Sequence, residues 1–183
     1  MGLLLKGCLK LLDNPADQSF KEPTLPMSLD RINRKIISTL QREARITNQE
    51  LAERVGLSPS SCLNRVKKLE QQGLIGPYLS VLNLPALCRS VTVIATVSLK
   101  DQSTEAFRQF QQQAGEIDEV VECYTVSGAF DLFLKVVAAD MGRYNAINDR
   151  LLDLLPGKVN ISSHVVLNED KPFRGYPLGA LLD

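Results

Sequence analysis

Between Leu29 and Leu69 the apolar residues recur at helical spacing, and from Val91 onward they switch to alternation. Leu29, Ile32, Ile36, Ile37 and Leu40 predict a first helix over 30–43, with Asp30 as its N-cap. Thr47-Asn48-Gln49-Glu50 reads as a capping box: the threonine hydroxyl accepts from the Glu50 amide and the Glu50 side chain returns to the Thr47 amide. It opens a second helix, 48–55, with Leu51, Ala52 and Val55 inward and Gly56 at the left-handed position that ends it. Ser58-Pro59 opens a third, because serine is a favoured N-cap and proline at the first helical position forfeits no hydrogen bond. Cys62, Leu63, Val66 and Leu69 are its inward side, and Gly73 ends it. Leu74 to Leu82, around Gly76-Pro77, is expected to be a short extended segment, as a connecting strand or small hairpin.

After Pro85 the period changes to two. Val91, Val93, Ala95, Val97 and Leu99 alternate with Thr92, Ile94, Thr96 and Ser98, which predicts a strand. Ser103 caps a helix carrying Ala106, Phe107, Phe110 and Ala114; strands follow over 120–126 and 131–138, joined by Ser127-Gly128-Ala129-Phe130. Asp140 caps a helix with Met141, Tyr144, Ile147, Leu151 and Leu154 or Leu155 inward, Pro156-Gly157 stops it, and 159–167 is a fourth strand. The order β-α-β-β-α-β is that of a ferredoxin-like domain, an antiparallel sheet with both helices on one face. The other face is left apolar by Ile94, Val120, Tyr124 and Val126 or their alternates. A bare apolar face calls for a partner, so a dimer is expected.

The domain reading is therefore an irregular N-terminal extension (1–27), a helical unit (28–83), the βαββαβ domain (84–167) and a tail (168–183). The extension carries Pro15, Pro23 and Pro26, and Met27 stands just before the first helix as a plausible natural start. Its apolar stretch, Gly2 to Leu12, is interrupted by Lys6 and Lys10 and is too short to span a bilayer, so a cytoplasmic protein without membrane association is expected. The tail, with Pro172, Pro177 and the apolar Leu178 to Leu182, either packs on a neighbouring subunit or stays unstructured.

Composition alters this picture little. Hydrophobic residues at 44% and charged residues at 23% are those of a chain that buries a core. The net charge is zero, but residues 28–83 hold nine Lys/Arg against five Asp/Glu and residues 84–183 hold nine against thirteen, so +4 is joined to −4. A basic module beside an acidic one suits a nucleic-acid reader coupled to a second function. Cys8, Cys62, Cys88 and Cys123 lack metal-ligand spacing and His164 is the single histidine, so no metal site or cofactor is expected and the thiols are expected buried and reduced.

The helix, capped helix, glycine turn and proline-started helix match a helix-turn-helix, whose second helix lies in the major groove. With Cys62, Val66 and Leu69 inward, Ser60, Ser61, Asn64 and Arg65 face bases; Asn and Arg can each pair with base edges. Ser58 and Ser60 stand where helix-start amides favour phosphate. Lys67, Lys68 and Arg54 are candidate phosphate contacts. Double-stranded DNA is the expected partner. The alternative is an oligomeric small-molecule sensor or adaptor without specific DNA binding. No acid–base pair, nucleophile motif or phosphate loop supports an enzyme.

Leu29-Asp30-Arg31-Ile32-Asn33-Arg34-Lys35-Ile36, Arg45-Ile46-Thr47-Asn48-Gln49-Glu50-Leu51-Ala52, Val55-Gly56-Leu57-Ser58-Pro59-Ser60-Ser61-Cys62, Arg65-Val66-Lys67-Lys68-Leu69-Glu70 and Val126-Ser127-Gly128-Ala129-Phe130-Asp131 closely resemble blocks of the Lrp/AsnC family of regulators. The resemblance runs from about Ser28 to Leu167. It implies an α+β protein: a winged helix-turn-helix joined to a βαββαβ effector domain of the RAM type. It also implies dimers that assemble to tetramers or octamers, with an amino acid or related small molecule bound between dimers. Residue by residue, Thr125, Ser127, Gly128 and Asp131 match the effector turn, and Met141 and His164 match positions tied to effector response. Gly128 would admit a ligand close to the backbone, and Asp131 would accept from an α-amino group. Ala129 and His164 depart from the acidic and aromatic residues common at these positions.

Overall fold

The computed structural model describes residues 29–101 and 103–182. The expectations for the N-terminal extension and Cys8 lie outside the described residues. The chain divides into two compact units: residues 82–170 form one, and residues 29–81 together with 171–182 form the other.

The first part of the helical unit is α1 (Arg31–Arg42), α2 (Asn48–Val55) and α3 (Pro59–Gln71). All three helices begin at side-chain caps, with Asp30, Thr47 and Ser58 accepting from Asn33, Glu50 and Ser61 amides. Each cap satisfies a backbone donor that helix geometry leaves unpaired. Ile36, Leu40, Leu51, Ala52, Val55, Cys62 and Leu69 form the buried centre, with Ile32, Ile37, Val66 and Ile75 packed around it. Leu63 departs from expectation and is exposed: it follows Cys62 by one residue, which swings it about 100° round the helix and away from the core. The segment 74–82 also departs, since it contains no strand. Instead Tyr78 returns to α3, its hydroxyl donating to Glu70 Oε1 at 3.1 Å.

The second unit opens with a one-turn helix, α4 (Leu84–Leu87), which Pro85 amid the leucines of 82–87 does not predict. It continues through β1 (Val91–Leu99), α5 (Thr104–Gly115), β2 (Val120–Thr125), β3 (Leu132–Ala138), α6 (Met141–Asp153) and β4 (Val159–Val165). The sheet order is β2-β3-β1-β4, and every pair is antiparallel. Alternation decides its faces. Val93, Ala95, Val97 and Leu99 point to the same side as Leu132, Leu134, Val136 and Ala138, where Phe107, Phe110, Ala114, Tyr144, Ile147 and Leu151 of α5 and α6 cover them. Phe110 is fully buried, a side chain whose removal from water stabilises by roughly 1.5–3 kcal/mol. Tyr144, also buried, bonds through its hydroxyl to Ser163.

The opposite face carries Ile94, Thr96, Phe133, Lys135, Glu122 and Tyr124, aligned by the pairings Ile94↔Lys135↔Glu122 and Thr96↔Phe133↔Tyr124. Val120, expected on this face, packs with the core instead. A β-bulge between Val120 and Glu122 explains it: Val120 pairs with inward Val136, the extra residue is Val121, and alternation resumes with Glu122 outward. Cys62 is buried, as expected of a free cysteine, but Cys88 and Cys123 are exposed. After β4 the chain ends in a short helix, α7 (Leu178–Leu181), within the helical unit.

Candidate nucleic-acid interface and effector region

The α2–α3 corner is built by local bonds. Glu50 Oε2 accepts from the Thr47 amide at 3.0 Å and from its hydroxyl at 2.8 Å, while Thr47 Oγ1 accepts from the Glu50 amide at 3.2 Å. Those bonds hold the Glu50 carboxyl below its usual range. Gly56 has φ 74, and its backbone turn is closed by Leu57 N donating to Ala52 O at 2.9 Å. A further staple was not legible beforehand: Asn48 Nδ2 donates to the Pro59 carbonyl at 2.8 Å, tying the start of α2 to the start of α3. At that start Ser58 Oγ lies 3.2 Å from Ser60 Oγ and donates to Ser61 Oγ at 3.0 Å, a cluster of three hydroxyls.

On α3, Cys62 and Leu69 are buried and Val66 half-buried, so Ser60, Ser61, Asn64, Lys67 and Lys68 are left exposed on the outward side. Arg65 is different. Its Nη1 donates to Asp30 Oδ2 at 2.5 Å and to Asn33 Oδ1 at 3.0 Å, so the guanidinium is turned to the first turn of α1 rather than standing beside Asn64. The Arg65 bond, followed by that of the Asn33 amide, lowers the Asp30 carboxyl from its ordinary value. Arg54 is likewise engaged, with Nη1 2.6 Å from Glu43 Oε1. Arg54 also lines an open groove, together with Arg42, Glu43, Arg45, Glu50 and Tyr78; Arg42 and Arg45 add positive charge there beyond the residues expected from the sequence.

In the sheet unit the expected effector residues fall into two groups. Thr125, Ser127, Gly128 and Asp131 gather at the turn from β2 to β3. Gly128 has φ +144 and open space where a side chain would stand. The turn is pinned to β1: Val126 N donates to Asp131 O at 2.9 Å, Asp131 N to Val97 O at 2.8 Å, and Asp131 Oδ2 accepts from Leu99 N at 2.7 Å. One Asp131 oxygen thus holds the fold. Thr125 Oγ1 accepts from Gln111 Nε2 of α5 at 2.6 Å, adding to the turn a residue with no motif of its own. Met141 begins α6, beyond the other end of β3, and His164 is exposed on β4 opposite Ile94 on the open sheet face. β3 spans about 20 Å at a strand's rise per residue, so a single chain does not bring Met141 to the turn.

Known proteins are similar to this chain in sequence and fold. Residues 29–75 match a winged helix-turn-helix DNA-binding family, and residues 92–176 match the Lrp/AsnC ligand binding domain. The leucine-responsive regulatory protein of Escherichia coli K12 is 41% identical over 143 residues, 78% of this chain and 87% of that protein. The crystal structure of an AsnC family transcriptional regulator from Agrobacterium tumefaciens superposes with a TM-score of 0.75 at 31% identity, covering 83% of this chain and 99% of that one. A transcriptional regulator from Neisseria meningitidis, in complex with L-methionine, gives 0.75 at 32% identity, covering 84% and 99%. No helix among the described residues is long and apolar enough to cross a membrane. The chain belongs to the Lrp/AsnC family of transcriptional regulators, with a helix-turn-helix DNA-binding domain followed by the family's ligand-binding domain.

Proposed function

We propose that this regulator binds specific DNA sequences through α3 and that an amino acid, bound where copies of the sheet unit meet, tunes that binding. The observation that carries the DNA reading is the sidedness of α3: Cys62 and Leu69 are buried while Ser60, Ser61, Asn64, Lys67 and Lys68 are exposed together. Asn64 can pair with a base edge and the lysines with phosphates. Ser58 serves the helix as its cap, so its part in a phosphate contact is through the amides it orders. Arg54 and Arg65 each engage Nη1 with Glu43 and Asp30, so a phosphate would share or compete for these guanidinium groups.

The amino-acid reading is supported by the Neisseria relative, described with L-methionine, and by the open turn at Ser127 and Gly128. Met141 and His164 stand away from that turn within one chain, which favours a site completed by a second copy. The open sheet face, where Ile94, Phe133 and Tyr124 stand beside the Glu122–Lys135 ion pair, is the surface for a homodimer, from which tetramers or octamers are built.

A gel shift on the DNA upstream of the protein's own gene, titrated with salt, tests the first part. A specific complex must weaken with salt along a steep log–log slope; binding that is absent, or equal for unrelated DNA, favours a sensor or adaptor instead. Thermal-shift screening of the twenty amino acids tests the second, since a ligand that binds only the folded state raises the melting temperature.

A further inference from the structure

Among the described residues the chain crosses between its two units twice, near Val81–Leu82 and again near Asp170–Lys171. The second crossing ends in a fitted contact. Gln41, in the last turn of α1, donates from Nε2 to the Tyr176 carbonyl at 2.9 Å and accepts at Oε1 from the Tyr176 amide at 2.9 Å. One side-chain amide therefore pairs with both backbone groups of one residue, as a neighbouring strand would. The approach is close because Gly175 precedes it. Its φ is +107, which L side chains rarely adopt, and a Cβ there would stand 2.6 Å from Gln41 Cδ and 2.8 Å from Nε2. Phe173 and Tyr176 meet edge to face, with ring centroids 5.1 Å apart, and so stiffen the bend.

We infer that residues 171–182 are a strap: this segment docks on α1 of its own DNA-binding unit, giving that unit a second tether, continuous with the chain of the ligand-binding domain at one end and hydrogen-bonded to α1 at the other. A helix-turn-helix held by one linker must lose orientational freedom when it meets DNA, and a second tether removes part of that freedom beforehand. The strap thus makes the reading unit better ordered for DNA, a role that rests on the DNA-binding reading above.

The test is hydrogen–deuterium exchange on the full chain, followed by DNA affinity. Gln41→Ala removes both bonds but keeps α1, since alanine is the best helix former. Gly175→Val removes the fit from the other side. Each net hydrogen bond is worth roughly fivefold in an equilibrium, so exchange at Tyr176 should rise about tenfold or more in either variant, with β1 unchanged. Gln41→Glu, which can accept but not donate, should fall between. A Tyr176 amide that is unprotected in the unaltered protein, or equally protected in Gln41→Ala, overturns the docking. Mixing Gln41→Ala chains with chains ending at Asp170 separates the two possible donors: a strap within one chain leaves Tyr176 unprotected, whereas restored protection shows docking on a second copy and overturns the proposal. Affinity for the upstream DNA should fall about threefold or more, and equally, in Gly175→Val and in the truncated chain. Unchanged or tighter binding overturns the ordering role. If the unaltered protein binds no DNA, the functional reading fails while the exchange results still decide the docking.

Discussion

Arg65 of α3 reaches back to Asp30, the N-cap of α1, with Nη1 2.5 Å from Oδ2. The carboxylate that starts one helix therefore neutralises a cation on the helix proposed to read DNA. Asparagine caps a helix as well as aspartate does, so Asp30→Asn keeps α1 while removing the charge that neutralises Arg65 and leaving it only the neutral Asn33 bond. We expect the log–log salt slope of DNA binding to steepen by about one unit as the freed guanidinium takes a phosphate. Competition gel shifts across a salt series check this, and an unchanged slope means that Arg65 serves α1 alone.

Asn64 and Arg65 are neighbours with different expected roles. Asn64→Ala should relax base preference at one operator position by about 1–3 kcal/mol. Arg65→Ala should weaken all sequences evenly and lower stability by about 0.5–1 kcal/mol, as for a half-exposed ion pair. Binding to a randomised DNA pool, read by sequencing, distinguishes a narrowed loss at one position from a uniform one.

The corner of the helix-turn-helix depends on two short side chains. Thr47→Ala should cost about 1 kcal/mol by opening the capping box, and Thr47→Ser should restore most of it. Asn48→Ala should cost about 0.5–1.5 kcal/mol through the lost bond to Pro59. Denaturant midpoints measure all three; a Thr47→Ala protein as stable as the original would show that water satisfies the Glu50 amide equally well.

The open sheet face supplies a test of assembly. Tyr124 and Phe133 sit 6.1 Å apart on it, flanked by the Glu122–Lys135 ion pair at 3.1 Å. Phe133→Asp should shift the protein to smaller species in sedimentation velocity, because an unpaired carboxylate would have to be buried in the interface. Retention of the original sedimentation coefficient would place the contact elsewhere.

Acid should act through Asp101, which is held at about 2 by hydrogen bonds from Ser103 and then by Lys158, 3.0 Å away. The folded value lies below the unfolded one of about 3.9. The stabilisation is thus complete above about pH 4 and is lost as the pH falls towards 2. Asp101→Asn should lower the melting temperature at neutral pH and flatten its fall between pH 4 and 2; parallel acid limbs in the two proteins would contradict this.

Local patterning sufficed for the three helices between 31 and 71 and for the β-α-β-β-α-β order after them, though not for the one-turn α4 or for the strandless segment 74–82. Asp30, Thr47, Ser58, Ser103 and Asp140 each cap the helix expected of them, because a cap bonds an amide only three residues away and is therefore written locally. Strand alternation likewise marked the two faces of β1 from the side chains alone. The tertiary structure decided what each polar side chain does. Arg65 is 35 residues from Asp30, Asp131 is 32 from Leu99, and Gln41 is 135 from Tyr176. Periodicity says that such a residue faces outward or inward, but not which distant group lies within bonding distance. The same holds for Val120, placed inward by one extra residue in β2, and for the tail, whose docking on α1 depends on the left-handed Gly175 and a glutamine amide that no local pattern connects.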